Sequence, residues 1–456
     1  MKHGNLLLRL TAAAEALILF AACLAGCGRN DGTAPSEDAE EFTADGQIYR
    51  SSALYNAVQI RDFLYYVEEY TYKEELKNGK TAERQAERVV RLSLKTGNVS
   101  SACVDPVCTH THGSGCPLNK DYLYGTGNIY NLKAVGDWLF YVMSEYIQVD
   151  DPDGQGKNSF ITLMNYMIYN TVTGELRELF PRNSVGESGA APALISGTVY
   201  KNMIFVTLPE FAKDDDGEEK LVYVLRSYNV DNDKTTVLYT SDESFASIAV
   251  TNKRIYISYM GGTEYKAYSV DRNGGDLRDE DDFYAPVVAY GNLGYCYHDA
   301  NRRYAWLYDL DTRTAKKLDT DDVAGGFCIS EDKLYYFHIT SADAYEQLDM
   351  KKLREKYADL APEEQQKAVS RDYYATLYGG AAQLYSAEHN GDSPKLLFEF
   401  EHTILRCAAA SGNYLYAYVS TAQPPEYTVT TTANHGFSRI DLTTGEITPV
   451  PLLGAE

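Results

Sequence analysis

One unit recurs along this 456-residue chain, and its recurrence constrains the fold more than any other feature. Each copy begins with a short apolar strand, a turn that carries Asp or Asn, and an aromatic strand. Clear examples are AVGDWLFYV (134–142) and ASGNYLYAY (410–418). The Asp/Asn position occurs seven times, at Asp62, Asp137, Asn202, Asn252, Asn292, Asp332 and Asn413.

A second signature alternates with the first. It consists of a strand, a Thr-Gly or Asp/Asn-rich turn, and another strand, as in IYNTVTGELREL (168–179) and RIDLTTGEITPV (439–450). Gly97, Gly174 and Gly445 fall where a three-residue hairpin needs a left-handed residue. The strand before this turn also recurs seven times, at Leu92, Tyr169, Tyr228, Tyr268, Tyr308, Tyr385 and Ile440. Strict alternation gives each repeat two hairpins, and therefore four strands.

The repeat predicts an all-β fold, a single seven-bladed β-propeller that spans residues 46–456. The shortest repeat spacing is 40 residues, from Tyr228 to Tyr268, and four-stranded propeller blades span about 40 to 45 residues. A propeller closes radially and so protects the edges of short strands. We expect 47–50 to close the ring by pairing with the last blade. Tandem β-sandwiches with coincidental Asp and Asn turns are the alternative.

Long insertions fall at one end of the blades only. If the two signature turns join strands one to two and three to four, both lie at the same end of each blade. The other end then carries the long segments 69–86, 145–158, 208–220, 340–381 and 420–436. Within the fourth of these, apolar residues at helical spacing, followed by Pro362, predict a small helical insertion in blade six, at 343–378.

A dense group of thiols and imidazoles follows the first blade. Cys103, Cys108, His110, His112 and Cys116 fall within fourteen residues, and structural zinc sites use Cys and His at short spacings. We therefore predict a metal site of Cys103, Cys108, His110 and Cys116, with His112 as the alternative imidazole and structural zinc as the possible cofactor. A disulfide is equally consistent with the pattern, because an oxidising compartment favours one, and free thiols are the third reading.

Three further cysteines lie in strand patterns of separate blades. Cys296, Cys328 and Cys407 are expected to pack in the core as small apolar side chains.

The N-terminus has the pattern of a bacterial lipoprotein leader. Lys2 and Arg9 precede an apolar run, and Leu24-Ala25-Gly26-Cys27 closes it as a lipobox. We expect 1–26 to be a signal peptide, Cys27 to carry the lipid, and 27–45 to be a flexible acidic tether. The protein is then anchored at the extracytoplasmic face of the cell membrane. An ordinary secretory signal or a short membrane helix is the alternative.

The net charge of the chain and its lack of catalytic motifs narrow the range of possible functions. The net charge of −23 disfavours nucleic acid as a partner. The sequence contains no nucleophile elbow, no P-loop and no zinc-protease helix motif, so no catalytic residues are assigned. We expect a binding scaffold for a protein, peptide or glycan. The alternatives are a propeller enzyme that acts on carbohydrate with carboxylates in its channel, and an envelope sensor.

The lipobox, the Tyr-rich hairpins and the Tyr-x-x-x-Thr-Gly turns together resemble the TolB-like or WD40-like propeller lipoproteins of anaerobic Gram-positive bacteria. The resemblance extends over nearly the whole mature chain. It implies the propeller fold and a role as an interaction scaffold. The blades carry no Gly-His or Trp-Asp pair, so the biology of eukaryotic WD40 proteins is not implied.

Replacing the lipobox cysteine tests the expected anchor. Cys27→Ser removes the sulfur that would receive the lipid, so the variant should take up no labelled fatty acid and should leave the membrane fraction. Cys23→Ser, four residues earlier in the same leader, is the matched control and should keep both properties. Fatty-acid labelling with membrane fractionation measures the outcome, and an unlabelled wild-type protein would contradict the lipoprotein interpretation.

Overall fold

The computed structural model describes most of the chain between residues 48 and 453. The described residues are 48–50, 57–75, 79–110, 115–121, 129–149, 159–180, 183–185, 197–213, 219–243, 245–251, 253–261, 264–280, 288–290, 293–297, 304–309, 312, 314–321, 323–330, 332–341, 344, 347–431 and 437–453. The predicted leader, Cys27, the predicted tether and His112 lie outside them. No helix in this described part is long and apolar enough to cross a membrane.

The chain divides into two compact units, Met1–Ala285 and Pro286–Glu456. In the first unit a short strand, β1 (Ile48–Arg50), precedes four antiparallel sheets. The first sheet contains β2 (Ala57–Ile60), β3 (Phe63–Glu75), β4 (Thr81–Ser93), β5 (Val99–Ser101) and β6 (Asn119–Asp121). The second contains β7 (Ile129–Val135), β8 (Trp138–Val149), β9 (Ser159–Asn170), β10 (Leu176–Glu178) and β11 (Asn183–Val185). The third contains β12 (Gly197–Tyr200), β13 (Met203–Lys213), β14 (Glu219–Asn229) and β15 (Lys234–Ser241). The fourth contains β16 (Phe245–Val250), β17 (Arg254–Gly261), β18 (Glu264–Asp271) and β19 (Arg278–Asp279).

The second unit contains three more antiparallel sheets and two helices. The fifth sheet includes β20 (Val288–Tyr290), β21 (Leu293–Tyr297), β22 (Tyr304–Asp309) and β23 (Thr314–Asp321). The sixth contains β24 (Val323–Ile329), β25 (Leu334–Ile339), β26 (Ala381–Ala387) and β27 (Lys395–Glu401). The helices α1 (Met350–Lys356) and α2 (Pro362–Leu377) lie between β25 and β26 in the chain. The seventh contains β28 (Thr403–Ser411), β29 (Tyr414–Gln423), β30 (Thr428–Thr431), β31 (Phe437–Asp441) and β32 (Ile447–Pro449).

Seven successive sheets, each built on four neighbouring antiparallel strands, define a seven-bladed β-propeller. The predicted fold class is confirmed, including the small helical insertion in the sixth blade. The expected pairing of 47–50 with the last blade is wrong. Among the described residues the seventh sheet takes all its strands from Thr403–Pro449, because its own repeat already supplies them.

In four blades backbone hydrogen bonds join the two signature turns, which therefore lie at the same end of the blade. The carbonyl of the Asp/Asn residue accepts from the residue that follows the third strand: Leu94 to Asp62 (2.9 Å), Thr171 to Asp137 (2.9 Å), Val230 to Asn202 (3.0 Å) and Leu442 to Asn413 (2.8 Å). The Thr-Gly turns close beside these bonds, with φ of 76° at Gly97 and Gly174 and 77° at Gly445. Left-handed backbone is the reason for glycine at these three positions.

At the opposite end, most of the predicted insertions continue the blade as paired strands. In the first blade β3 and β4 stay in register from Phe63↔Ser93 to Glu75↔Thr81. The second and third blades extend in the same way to Val149↔Ser159 and Lys213↔Glu219. We call these two-stranded extensions arms. In these three blades the described inserted residues prolong the second and third strands.

The core lies between neighbouring blades. Leu64, Tyr66 and their neighbours are buried in the first blade, and one cluster joins its Tyr65, Val67 and Val89 to Tyr141 and Tyr169 of the second. Comparable clusters join the second blade to the third and the sixth to the seventh. The chain's 39 tyrosines fit this arrangement, because aromatic side chains bury large areas on pleated surfaces.

The fourth blade relies on a buried arginine. Its outer strand has only two residues, so few ladder hydrogen bonds hold it. Arg254 compensates: its guanidinium donates to the Ser269 hydroxyl at 2.7 Å and to the Asp276 carboxylate at 2.7 Å. The Ser269 hydroxyl in turn donates to the buried carboxylate of Glu280. This network fixes the outer strand to the middle of the blade.

Removing this guanidinium should strongly destabilise the protein. Arg254→Met leaves the Ser269–Glu280 pair buried without its cation, and the free energy of unfolding should fall by about 3 kcal/mol. Arg61→Met is the control, because Arg61 forms an exposed ion pair with Asp137, with 64% and 34% of the two side chains accessible, and should cost less than about 1 kcal/mol. Denaturant unfolding measures both, and equal losses would contradict the assigned role of Arg254.

Candidate metal centre

The cysteine-rich segment interrupts the outer strand of the first blade. β5 and β6 both pair with β4, and the described residues between them, 102–110 and 115–118, lie outside the sheet. Both ends of this segment bind one residue: Ala102 N–H donates to Val89 O at 3.2 Å, and Val89 N–H donates to Leu118 O at 2.8 Å. The segment is therefore an excursion from an edge strand within the first blade, whereas the sequence pattern placed it after that blade.

The excursion brings four of the predicted ligands together. Cys103, Cys108, His110 and Cys116 each offer a ligand atom, and these atoms lie within 4.8 Å of one another. Cys103 and Cys116 are buried, and Cys108 and His110 are half-buried. All three cysteines are free thiols in this structure. The alternative ligand His112 lies outside the described residues, so the arrangement rests on His110.

Local hydrogen bonds shape the excursion around these ligands. The Ser101 hydroxyl accepts from Cys103 N–H at 3.1 Å. Asp105 then forms a turn, since its carboxylate accepts from Val107 N–H at 3.0 Å and its carbonyl from Cys108 N–H at 3.2 Å. This turn reverses the chain and returns Cys108 toward Cys103.

Residues of the sheet hold His110 in position. Its backbone is left-handed, with φ of 55°, which is uncommon for a residue with a side chain. The Asn119 side-chain amide donates to His110 O at 2.9 Å, and the Tyr70 hydroxyl donates to Asn119 Oδ1 at 2.8 Å. The Arg88 guanidinium stacks over the Tyr70 ring, 4.4 Å from its centre. A chain of contacts therefore connects the ligand His110 to the base of the first arm.

Two tyrosines of the second blade complete the surroundings. The Tyr169 hydroxyl accepts from Val104 N–H at 2.8 Å, and the Tyr141 hydroxyl donates to Pro117 O at 3.1 Å. Sequence reasoning missed both as neighbours of the site. Tyr169 was visible only as a repeat position, and nothing in the repeat shows which loop its hydroxyl meets.

Burial sets the electrostatics of the centre. It raises the pKa of the Cys116 thiol, an effect that a backbone hydrogen bond at Leu118 opposes and the neighbouring thiols Cys103 and Cys108 reinforce. Burial also raises the pKa of Tyr141 and Tyr169. The surroundings therefore favour the protonated forms of Cys116, Tyr141 and Tyr169.

The donor set fits a metal ion. Three sulfurs and one imidazole match the Cys₃His sets of structural zinc sites. His110 Nδ1 is buried and has no hydrogen-bond partner within the described part of the chain, although buried polar atoms in proteins nearly always have one. A coordinated ion would supply that partner. The cluster could thus bind a metal, as the sequence suggested.

The core cysteines behave as expected where the structure describes them. Cys328 and Cys407 are 0% and 1% exposed and pack in the cluster between the sixth and seventh blades. The side chain of Cys296 lies outside the described residues.

Fold and site together define the class: a β-propeller of seven blades with a candidate Cys₃His metal centre on its first blade. No protein-family model matches the chain, and no curated protein matches it.

Solved structures do resemble the chain. They include an acylaminoacyl peptidase from Pyrococcus horikoshii, with a TM-score of 0.46 and 10% identity, covering 88% of this chain and 52% of that one. Another is the β-propeller domain of the Trilobed protease from Pyrococcus furiosus, with a TM-score of 0.31 and 9% identity over 90% of this chain and 100% of that one. TolB from Acinetobacter baumannii has a TM-score of 0.28 and 13% identity over 69% of each chain. The present chain spans about half the length of the first of these, 52%.

Proposed function

We propose that this protein is a binding scaffold: a lipid-anchored, extracytoplasmic β-propeller that presents its arms and insertions to a protein, peptide or glycan partner. We further propose that Cys103, Cys108, His110 and Cys116 hold a structural zinc ion that stabilises the first blade.

The observation that carries the scaffold proposal is the contrast between the two ends of the blades. At one end the signature turns are short and hydrogen-bonded to each other. At the other end β3–β4, β8–β9 and β13–β14 extend as arms, β29 pairs with the additional hairpin strand β30, and α1 and α2 enter the sixth blade. Scaffolds commonly concentrate function in the variable segments of a rigid frame.

The first arm has the chemistry of a recognition surface. Beyond Tyr70↔Ala86 its two strands pair only with each other among the described residues. The side chains there are exposed or half-exposed, and they mix charged residues with Tyr72. The ring of Tyr72 lies beside the ring of Tyr70, with the ring centres 6.2 Å apart and the ring planes tilted by 42°. Tyrosine provides large contact areas with a polar tip, which suits reversible binding.

The number of ligands and their placement in the chain support a structural role for the zinc. Four protein ligands leave no open position for substrate, which is the pattern of structural zinc. The described residues between the ligands, 103–110 and 115–116, contain no helix or strand, so a bound ion would cross-link residues that the sheet itself does not hold. Zinc would be held by three thiolates and one imidazole and would supply no reaction step.

Metal analysis tests the zinc. The purified protein should contain about one equivalent of zinc, with zinc to sulfur distances near 2.3 Å by X-ray absorption. Cys103→Ser and His110→Ala should each lose most of the metal and lower the thermal midpoint. Cys407→Ser replaces another buried cysteine and should keep the zinc. Less than about a tenth of an equivalent in the wild-type protein would contradict the proposal.

Site-specific photo-crosslinking in native membranes tests the scaffold. A photoreactive residue at Tyr72, in the first arm, should capture a discrete partner because that arm would lie in the interface. The same residue at Lys95, in the Thr-Gly turn at the opposite end of the same blade, is the matched control and should capture none. Equal capture from both positions, or none from Tyr72, would contradict a binding role for the arm.

A further inference from the structure

We propose that the Cys₃His centre is also a reversible oxidation site, at which a two-electron oxidant of the peroxide class links Cys108 to Cys116 as a disulfide and releases the metal. This inference rests on the proposed zinc and adds a means of regulating it.

Cys116 is the thiol through which the cluster would oxidise. Its sulfur lies within 4.8 Å of the sulfurs of Cys108 and Cys103. All ligand atoms lie within 4.8 Å, so a pair of sulfurs needs to approach by less than about 3 Å to reach the disulfide bond length near 2.05 Å. Backbone bonds to Val89 tie both ends of the excursion, which keeps these thiols at a high effective concentration.

Solvent exposure selects Cys108 as the thiol that reacts first. Cys103 is 5% exposed and packs in the core between the first two blades. Its neighbour Val104 is fixed by the Tyr169 hydroxyl. Cys108 is half-buried and follows Val107, which is 85% exposed. An oxidant from solvent therefore meets the Cys108 sulfur before either of the others.

The chemistry balances with peroxide as the only added reactant. The Cys108 thiolate attacks a peroxide oxygen; the S–O bond forms, the O–O bond breaks and hydroxide leaves. The Cys116 thiolate then attacks the Cys108 sulfur, the S–S bond forms and a second hydroxide leaves. The two sulfurs lose two electrons and the peroxide gains them, and two protons from solvent convert the hydroxides to water. Only Cys103 and His110 remain as ligands, so the ion dissociates and Cys103 takes up a proton.

The oxidation is reversible because the backbone contacts of the excursion do not depend on the metal ligands. The backbone bonds of Ala102 and Leu118 to Val89 do not involve the ligands, and Tyr141 and Tyr169 bind backbone groups of the excursion. The oxidised segment thus stays attached to the blade, and a dithiol reductant regenerates the three thiols near one another.

Peroxide titration of the zinc-loaded full-length protein tests the proposal. Zinc release is followed with a chromogenic chelator, and thiol labelling with mass spectrometry identifies the linked residues. We expect one zinc released for every two thiols lost and a Cys108–Cys116 linkage. Labelled thiols should remain at Cys103 and at the three cysteines of other blades, Cys296, Cys328 and Cys407. Dithiothreitol followed by zinc should restore the starting metal content.

Two variants separate this inference from the proposed function. Cys108→Ser should slow disulfide formation in the cluster at least tenfold, because it removes the thiol that reacts first. Cys407→Ser, the matched control outside the cluster, should keep the zinc and form the Cys108–Cys116 linkage at close to the wild-type rate. Zinc that stays bound under peroxide, a Cys103–Cys116 linkage, or oxidation to sulfinate would overturn the switch and leave structural zinc intact. Protein that binds no zinc at all would overturn the proposed function and this inference together.

Discussion

Apolar packing between neighbouring blades is the interaction on which the rest of this structure depends. Each blade is too thin to form its own core, so Tyr65 and Val67 of the first blade are buried only against residues such as Tyr141 of the second. Cys103 and Cys116 belong to the same cluster. The candidate metal centre therefore lies in an interface between blades, and the contacts that stabilise the fold also position its ligands.

The excursion at 102–118 explains why such an interface would need an additional cross-link. An outer strand normally gains its stability from ladder hydrogen bonds, and here the ladder stops at Val89 and resumes on its other side. Asn119 and Tyr70 then connect His110 to the first arm. The state of the metal centre and the position of the arm's base are thus connected by direct contacts, which gives the proposed oxidation a route to the proposed binding surface.

The sequence alone predicted the repeated hairpins and the ligands that are close in sequence, and it missed contacts between residues that are distant in sequence. Gly97, Gly174 and Gly445 identified hairpins because left-handed turns require glycine, and the alternating turns fixed the count of blades. The ligands Cys103, Cys108, His110 and Cys116 were predictable because they are close in sequence. Tyr169 as a neighbour of the site, and the absence of β1 from the last sheet, depend on contacts between distant residues that no local pattern encodes.

The position of the arms has a physical reason. At the turn end, the carbonyls of Asp62, Asp137 and Asn202 already accept hydrogen bonds from the residues that follow the third strands. Inserting residues there would break a bond that joins two hairpins. At the other end the second and third strands are each other's neighbours, and every inserted pair of residues can add to an existing ladder. Insertions are therefore tolerated at the end of the blade where added residues can hydrogen-bond to each other, and a binding surface can vary there without disturbing the blades.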